Sequence, residues 1–439
     1  MVAGRGGKPF LTVFDAEVLL ESLVEAERVR PAQFARRRVF ARRGVAGGKA
    51  RFLAALLASI WRLEGLIDDA LRGAGIDVEG LGAVERAAAR LAAYLLLYEE
   101  RCRGDTCLDA VRRVSGSVAS VVESVEAAWR EGRLRVDPVA AEYMAPRWLI
   151  EKLQRLLPGE WRELLQAFNR APPVVLRVNT LKASYDRVWL ILEEEGREPR
   201  PSRWAPGWGI ILGNPRDLHE SRVIRHALAY PQDEASIVAS LLLDPKPGML
   251  VFDLAAAPGG KTLHMAALMR NRGRIVAIDA SRLKARLLER NVRRYGAEIV
   301  EVRVMDARRA PSVYGTGVAD AVMLDAPCTS SGTLARNPDL RWRLREEAIH
   351  EMHRLQVELL RAAVEIAKPG ARILYATCSI FPEEGEAVVE KLLEERGDVD
   401  IVPLEGPFDP SPWLKGAMRA WPHRHGTIGF FYALLEKRG

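Results

Sequence analysis

The 439-residue chain is poor in cysteine and lysine and has no long apolar run. Its four cysteines, Cys102, Cys107, Cys328 and Cys378, are too few and too scattered for a disulfide scaffold or a zinc ribbon. That usage predicts a reducing compartment, where a notable cysteine is chemical rather than structural. A membrane span needs roughly 18 consecutive apolar residues, and the nearest approach, Leu91–Tyr98, is far too short. Met1 to Phe10 holds charge but no apolar core of the kind a secretory leader has. These absences predict a cytoplasmic protein with no membrane partner and no metal. No internal repeat or low-complexity tract is visible.

What is present is ordinary globular material: 48% hydrophobic and 28% charged residues, in a length that allows two to four domains. The formal charge is +7, which suits polyanionic partners. Of the 65 basic residues 11 are lysine, leaving 54 arginines. Arginine's planar fork pairs bidentately with phosphate and stacks on bases, although a GC-rich genome would also favour it.

The pattern changes twice along the chain. From Asp15 to about Arg133 apolar residues recur at helical spacing, as in Ala16-Val18-Leu19-Leu20-Leu23 and Val84-Ala87-Leu91-Tyr94-Leu95. Within that region Arg28 to Arg51 holds nine basic residues and no acidic one, either a solvated helix face or an RNA contact. From about Ala141 to Ser221 the signals mix: a helix opening at Pro146-Arg147-Trp148, a strand Val174–Val178, a helix Ser184–Glu195 and a loop rich in proline and tryptophan. From Val223 onward strands at Met249–Ala255, Arg274–Ala280, Ile299–Val304, Ala321–Ala326 and Arg372–Thr377 alternate with helices. Such alternation predicts an α/β, doubly wound Rossmann-like sheet, whose ligands sit at the carboxyl ends of the strands. The expected domains are an all-α region over 1–140, a small α+β subdomain over 141–222 and the Rossmann-like domain over 223–439.

The first of these strands runs into Asp253-Leu254-Ala255-Ala256-Ala257-Pro258-Gly259-Gly260-Lys261-Thr262. Paired glycines between strand and helix let a ligand approach the backbone at a helix N-terminus. The loop is neither the dinucleotide fingerprint nor a P-loop. Asp279 closes the next strand about 20 residues on, where a carboxylate can take both hydroxyls of a ribose; capping the following helix is its other reading. A nucleoside without phosphate fits best, and S-adenosylmethionine is one. Two cysteines close later strands, in Asp325-Ala326-Pro327-Cys328 and in Thr377-Cys378-Ser379, the latter ahead of Pro382-Glu383-Glu384. Packing explains such a pair poorly; an activated thiolate nucleophile with an acidic partner explains it better.

These residues resemble the RNA cytosine-C5 methyltransferases of the Sun/Fmu group. The resemblance rests on Ala255–Thr262, Asp325–Cys328 and Tyr375–Ile380. It is supported by Pro231–Ser236, Leu176–Asn179, Asn337-Pro338-Asp339 and Gly429-Phe430-Phe431. It covers about 141–439, and the helical start resembles the NusB-like domain of the branch that modifies small-subunit ribosomal RNA. The resemblance implies methylation of cytosine C5 in RNA, ribosomal RNA before transfer RNA, with S-adenosylmethionine as donor. Cys378 would be the nucleophile that adds to C6, and Cys328 would help release the product. Asp325 would hold the base edge. Lys261 would support the base or the thiolate, or simply stand as a cation at a helix start. Ala255, Ala256, Ala257, Pro258, Gly259, Gly260 and Lys261, with Asp279, Arg282, Asp306 and Asp325, would hold the cofactor, Asp306 beside the adenine. Three positions depart from the family pattern: Ala255 where cysteine is frequent, Ile428 where an aspartate is common, and the bulky Tyr230.

Two other classes compete. A DNA cytosine-C5 methylase would use Cys328 as nucleophile and would have no need of Thr377-Cys378-Ser379. A non-catalytic RNA-binding assembly factor would show decay at Asp325, Cys328, Cys378 or the glycine pair, and none has decayed.

Overall fold

A computed structural model describes residues 10–29, 32–99, 102 and 106–439. The chain divides into two compact units, Met1–Asn169 with Asn337–Arg343, and Arg170–Arg336 with Leu344–Gly439.

The first unit is helical. Helices Val13–Arg28, Ala32–Arg43, Gly47–Gly73, Ala83–Tyr98 and Gly116–Arg130 surround a core in which Leu19, Leu57, Ile60, Leu91, Leu95, Val118 and Val122 are fully shielded. Thr12 and Asp15 form a reciprocal capping box that satisfies N–H groups at the start of the first helix. The same helix answers the basic run. Glu25 pairs with Arg38, Glu21 with Arg42 and Arg43, and Asp15 with Lys49. Counter-charge absent from 28–51 in sequence thus arrives through packing. Cys102 and Cys107 form a disulfide, with Cα atoms 5.4 Å apart, inside the bridging range. This corrects the expectation that the cysteines here are chemical rather than structural: a lone pair five residues apart can close a local loop without any scaffold. The short stretch Asn337–Arg343 is anchored in this unit by Trp342, whose indole covers Gly65 where any Cβ would clash, and donates to Arg62 O at 2.7 Å. The buried Arg341 guanidinium donates to Met144 O, Asn169 Oδ1 and Phe168 O.

The second unit holds two sheets. The smaller is antiparallel, in the order β2-β3-β1-β4, from β1 (Val174–Val178), β2 (Pro199–Pro201), β3 (Gly209–Leu212) and β4 (Ala229–Pro231). The larger has nine strands. Its parallel part is β5 (Leu250–Asp253), β6 (Arg274–Asp279), β7 (Val300–Val304), β8 (Ala319–Asp325) and β9 (Ala367–Thr377), ordered β9-β8-β5-β6-β7. Four further strands, β10 (Val399–Val402), β11 (Asp409–Pro410), β12 (Met418–Ala420) and β13 (Phe430–Lys437), extend it antiparallel beyond β9. The alternation of strand and helix does not announce these four: three have two to four residues, and β13 is buried nearly end to end, so it lacks a two-residue period.

Period two sets the layers. Phe252, Val322, Leu324 and Ile373 face helices Glu346–Ile366 and Glu386–Glu395 through Leu360, Val364, Val388 and Leu392. Val251, Ala321, Met323 and Leu374 face helices Glu234–Leu243 and Gly260–Leu268 through Ile237, Val238 and Met265. The chain winds from β5 through β6 to β7, then returns to β8 on the other side of β5. The β5/β8 boundary is therefore the switch point at which a doubly wound sheet opens a crevice. Among the described residues no helix is long and apolar enough to cross a membrane.

Candidate active site

The glycine loop is shaped by one backbone requirement. Gly259 has φ +108°, and a Cβ there would stand 2.6 Å from Leu288 Cδ1. Only glycine accepts both the dihedral and the contact. The loop is fastened to β6 by Ala256 N donating to Ile278 O at 2.9 Å and Ala257 N donating to Asp279 Oδ2 at 3.3 Å. The other oxygen of Asp279 accepts Ser281 N at 2.8 Å. Ser281, not Asp279, caps the helix Arg282–Tyr295. A carboxylate offers about four acceptor sites, so Asp279 retains capacity for hydroxyl donors.

Asp279 lines a cleft of about 570 Å³ together with Ala255, Ala257, Asp306, Asp325, Cys328 and Cys378. The Arg308 side chain grips the Asp306 carboxylate and holds it below its ordinary pKa. Arg308 also pairs with Glu358 at 2.5 Å, so two carboxylates already engage it. This donor set, a carboxylate for hydroxyls and a glycine turn without a phosphate cradle, fits a nucleoside such as that of S-adenosylmethionine. Arg282 is not among the residues lining the cleft; Lys284, two positions on, is.

A second hollow of about 320 Å³ shares Ala255, Ala257 and Asp325 with the first and adds Tyr230, Gln232, Ser236, Asp253, Lys261, Arg336 and Ile428. Lys261 Nζ donates to Asp325 Oδ2 at 2.6 Å and to Ser236 Oγ at 2.9 Å, and lies 5.0 Å from the Phe430 ring centroid. Gln232 Nε2 extends the chain to Ser236 Oγ at 3.2 Å. Asp253, at the end of β5, is wholly buried, and burial raises its pKa to about 7 despite the Thr262 hydroxyl bonded at 2.6 Å. Beside Ile428 the carboxylate is Asp233, which accepts Thr427 Oγ1 and Ile428 N and pairs with Arg336 at 2.5 Å. Tyr230 is accommodated by packing edge-on to Tyr295, with ring centroids 5.1 Å apart, and against Gly260.

Adjacent strands bring the two cysteines together. β8 ends in Asp325, β9 in Thr377, and Cys328 Sγ stands 3.2 Å from Cys378 Sγ. The hydrogen bond shared with Cys328 and then the contact with Ser330 Oγ hold the Cys378 thiol below its ordinary pKa, with Lys261 adding attraction against burial and Asp325. The same bond and burial push Cys328 well above it. Ser330, 3.6 Å from Cys378 Sγ and left-handed at φ +59°, is a site residue that motif reading passes over. Its signal is a hydroxyl two residues beyond the strand-end cysteine. Among the described residues no group of three or more His, Cys, Asp or Glu could hold a metal ion.

A family model described as 16S rRNA methyltransferase RsmB/F matches residues 240–436, and a RsmF/B-like ferredoxin-like domain matches 145–219. Ribosomal RNA small subunit methyltransferase B of Erwinia tasmaniensis is 34% identical over 298 residues, 68% of this chain and 67% of that protein. Its counterpart in Klebsiella pneumoniae (strain 342) is 32% identical over 67% of each chain. Among solved structures, PH0851 superposes with a TM-score of 0.87 at 40% identity, covering 98% of this chain and all of that one. A methyltransferase homolog protein from Pyrococcus horikoshii gives 0.61 at 31% identity, over 69% of this chain and all of that one. Likeness at this level is one of family, and the chain belongs to the RsmB/F family of RNA methyltransferases.

Proposed function

We propose that the protein methylates C5 of a cytosine in ribosomal RNA, in the cytoplasm, through a transient bond between Cys378 and C6 of the base. The observation that carries this reading is the sulfur pair, 3.2 Å apart past neighbouring strand ends, on the cleft that Asp325 also lines. Cytosine C5 is a poor nucleophile until a thiolate adds to C6 and pushes the electron pair to C5. Bound S-adenosylmethionine supplies the electrophilic methyl. Asp325 holds the base at N3 and the amino group, favouring the protonated ring that accepts the thiolate. Lys261 neutralises Asp325 and steadies the Cys378 thiolate. After methylation a base in the site takes the C5 proton, the pair of the broken C5–H bond restores the C5–C6 double bond, and Cys378 departs with the C6–S pair as thiolate. Cys328 assists this elimination.

Asp279 takes the ribose, Asp306 lies beside the adenine, and the Ala255–Lys261 loop frames the nucleoside. Residues 1–140 act as a NusB-like RNA-binding region, 141–222 as the small α+β subdomain and 223–439 as the catalytic domain. A DNA-type arrangement with Cys328 as nucleophile is disfavoured because it would leave Cys378, on the same cleft, without a task. The test is bisulfite sequencing of ribosomal and transfer RNA after incubation with purified protein and S-adenosylmethionine. New non-converting cytosines in the small-subunit RNA are expected; methyl incorporation without any such cytosine contradicts the reading.

A further inference from the structure

Beneath the sulfur pair lies a carboxylate with no part in the chemistry above. Glu384 is completely buried in the turn Pro382–Glu384, just ahead of helix Glu386–Glu395. It accepts four hydrogen bonds: from Thr329 N at 2.7 Å, Thr329 Oγ1 at 2.5 Å, Ser379 Oγ at 2.5 Å and Gln356 Nε2 at 3.3 Å. Four donors converging on two oxygens suit an ionised carboxylate, which only accepts. Thr329 follows Cys328 and Ser379 follows Cys378, so one side chain fastens the residue beyond each sulfur. Gln356 reinforces the tie, since its amide also donates to Pro327 O at 2.8 Å, one residue before Cys328.

The surrounding charges matter because a buried field is poorly screened. Glu383 and Glu386 are the nearest other acids in sequence; Glu386 is matched by Arg419, which also donates to Ser379 O at 3.1 Å. Tyr375 donates its hydroxyl to Glu384 O at 2.7 Å. Asp325 and Lys261 act in opposite senses at Cys378. Burial raises the pKa of the Glu384 carboxyl against its four hydrogen bonds, and once ionised its charge opposes loss of the proton at both Cys328 and Tyr375.

We propose that Glu384 is a positioning residue with two tasks: it braces both cysteine loops at bonding distance, and its charge keeps the proton on Cys328, so that Cys378 is the sulfur that ionises. The second task rests on the reading of Cys378 as nucleophile. It differs from an ordinary buried structural carboxylate in making the choice between two sulfurs depend on one charge.

The test needs no RNA. Both cysteines line the first cleft, and a thiolate displaces iodide from iodoacetamide to form a carbon–sulfur bond. The full-length protein is labelled with limiting reagent across a pH series, and each cysteine is quantified by peptide mass spectrometry. The wild type labels Cys378 first. Glu384→Gln keeps the shape and removes the charge, so the preference falls about tenfold, the effect of one pKa unit. Glu384→Asp keeps the charge and shortens the arm: the preference stays, while diamide closes the Cys328–Cys378 disulfide more slowly. Unchanged preference in Glu384→Gln overturns the charge task, and unchanged disulfide closure in Glu384→Asp overturns the bracing. Where thermal unfolding shows either variant unfolded, Thr329→Val and Ser379→Ala each remove one bond to Glu384 and leave the carboxylate, the second also losing the contacts of Ser379 Oγ with Ser331 Oγ and Phe381 N. Slower closure in both supports the proposal, and wild-type behaviour in both overturns it. Wild-type protein that labels Cys328 first overturns the nucleophile assignment itself, while bisulfite sequencing still reports separately on methylation.

Discussion

Gly332 and Gly429 meet backbone to backbone: Gly332 N donates to Cys378 O, and Gly429 N donates to Gly332 O, each at 2.9 Å. A Cβ on Gly332 would collide with the Gly429 carbonyl, and one on Gly429 would stand 2.9 Å from Gly332 Cα. The contact ties the loop after Cys328 to Cys378, just past β9, and to the approach to β13. Gly332→Ala should therefore cost about 1–3 kcal/mol of stability, the usual range for overpacking a tight site. Thermal unfolding of the two proteins checks it, and an unchanged midpoint would contradict the close approach.

The ribose assignment of Asp279 is open to calorimetry. Asp279→Ala should weaken S-adenosylmethionine binding by at least about tenfold, roughly 1.4 kcal/mol. Equal affinities would remove Asp279 from the cofactor site.

Asp253 makes stability depend on pH in a defined sense. Its folded pKa, raised to about 7 by burial, exceeds the ordinary aspartate value, so the folded protein binds the proton more tightly than the unfolded chain. Below about pH 4 both states hold the proton and nothing is lost. Between about pH 4 and 7 stability falls by up to about 1.36 kcal/mol per pH unit, then levels off. Asp253→Asn should remove this loss, so urea midpoints of variant and wild type should diverge as pH rises through that window. Parallel midpoints would show that Asp253 does not hold its proton.

For the helical unit, the ion pairs made by Arg38, Arg42, Arg43 and Lys49 shift attention to Arg36 and Arg37. If these two meet phosphates, the double change Arg36→Ala, Arg37→Ala should weaken RNA binding and flatten the plot of log affinity against log salt by about 0.7 per contact for a single strand. Cofactor affinity should not change. An unaltered slope would make this surface merely solvated.

Sequence and structure agree most closely where the chemistry demands unusual residues. The glycine pair between strand and helix, the carboxylates ending β6 and β8 and the cysteines past β8 and β9 are all legible, because packing alone does not explain them there. The parallel strands are legible for a related reason: each is an apolar run followed by a helix. The hydrogen-bond partners around Cys378, Glu384 and Lys261 are not legible. Ser330, Gln356 and Ser236 are ordinary polar residues whose relevance appears only when loops far apart in sequence converge. Counter-charge is hidden in the same way, since the acids facing the 28–51 run lie on the preceding helix. The Cys102–Cys107 disulfide was hidden by the opposite error, a rule about scaffolds applied to a local pair.

The measurement that bears most directly on the central claim is a denaturing gel of protein incubated with target RNA and S-adenosylmethionine. Cys328→Ala should add to C6 and methylate but fail to release, so a denaturant-resistant protein–RNA complex accumulates in that variant alone. Cys378→Ala should show neither turnover nor adduct. The target base must reach both strand ends, so single-stranded or flipped-out cytosine should serve. A complex trapped by Cys378→Ala and absent from Cys328→Ala would contradict the account and make Cys328 the nucleophile.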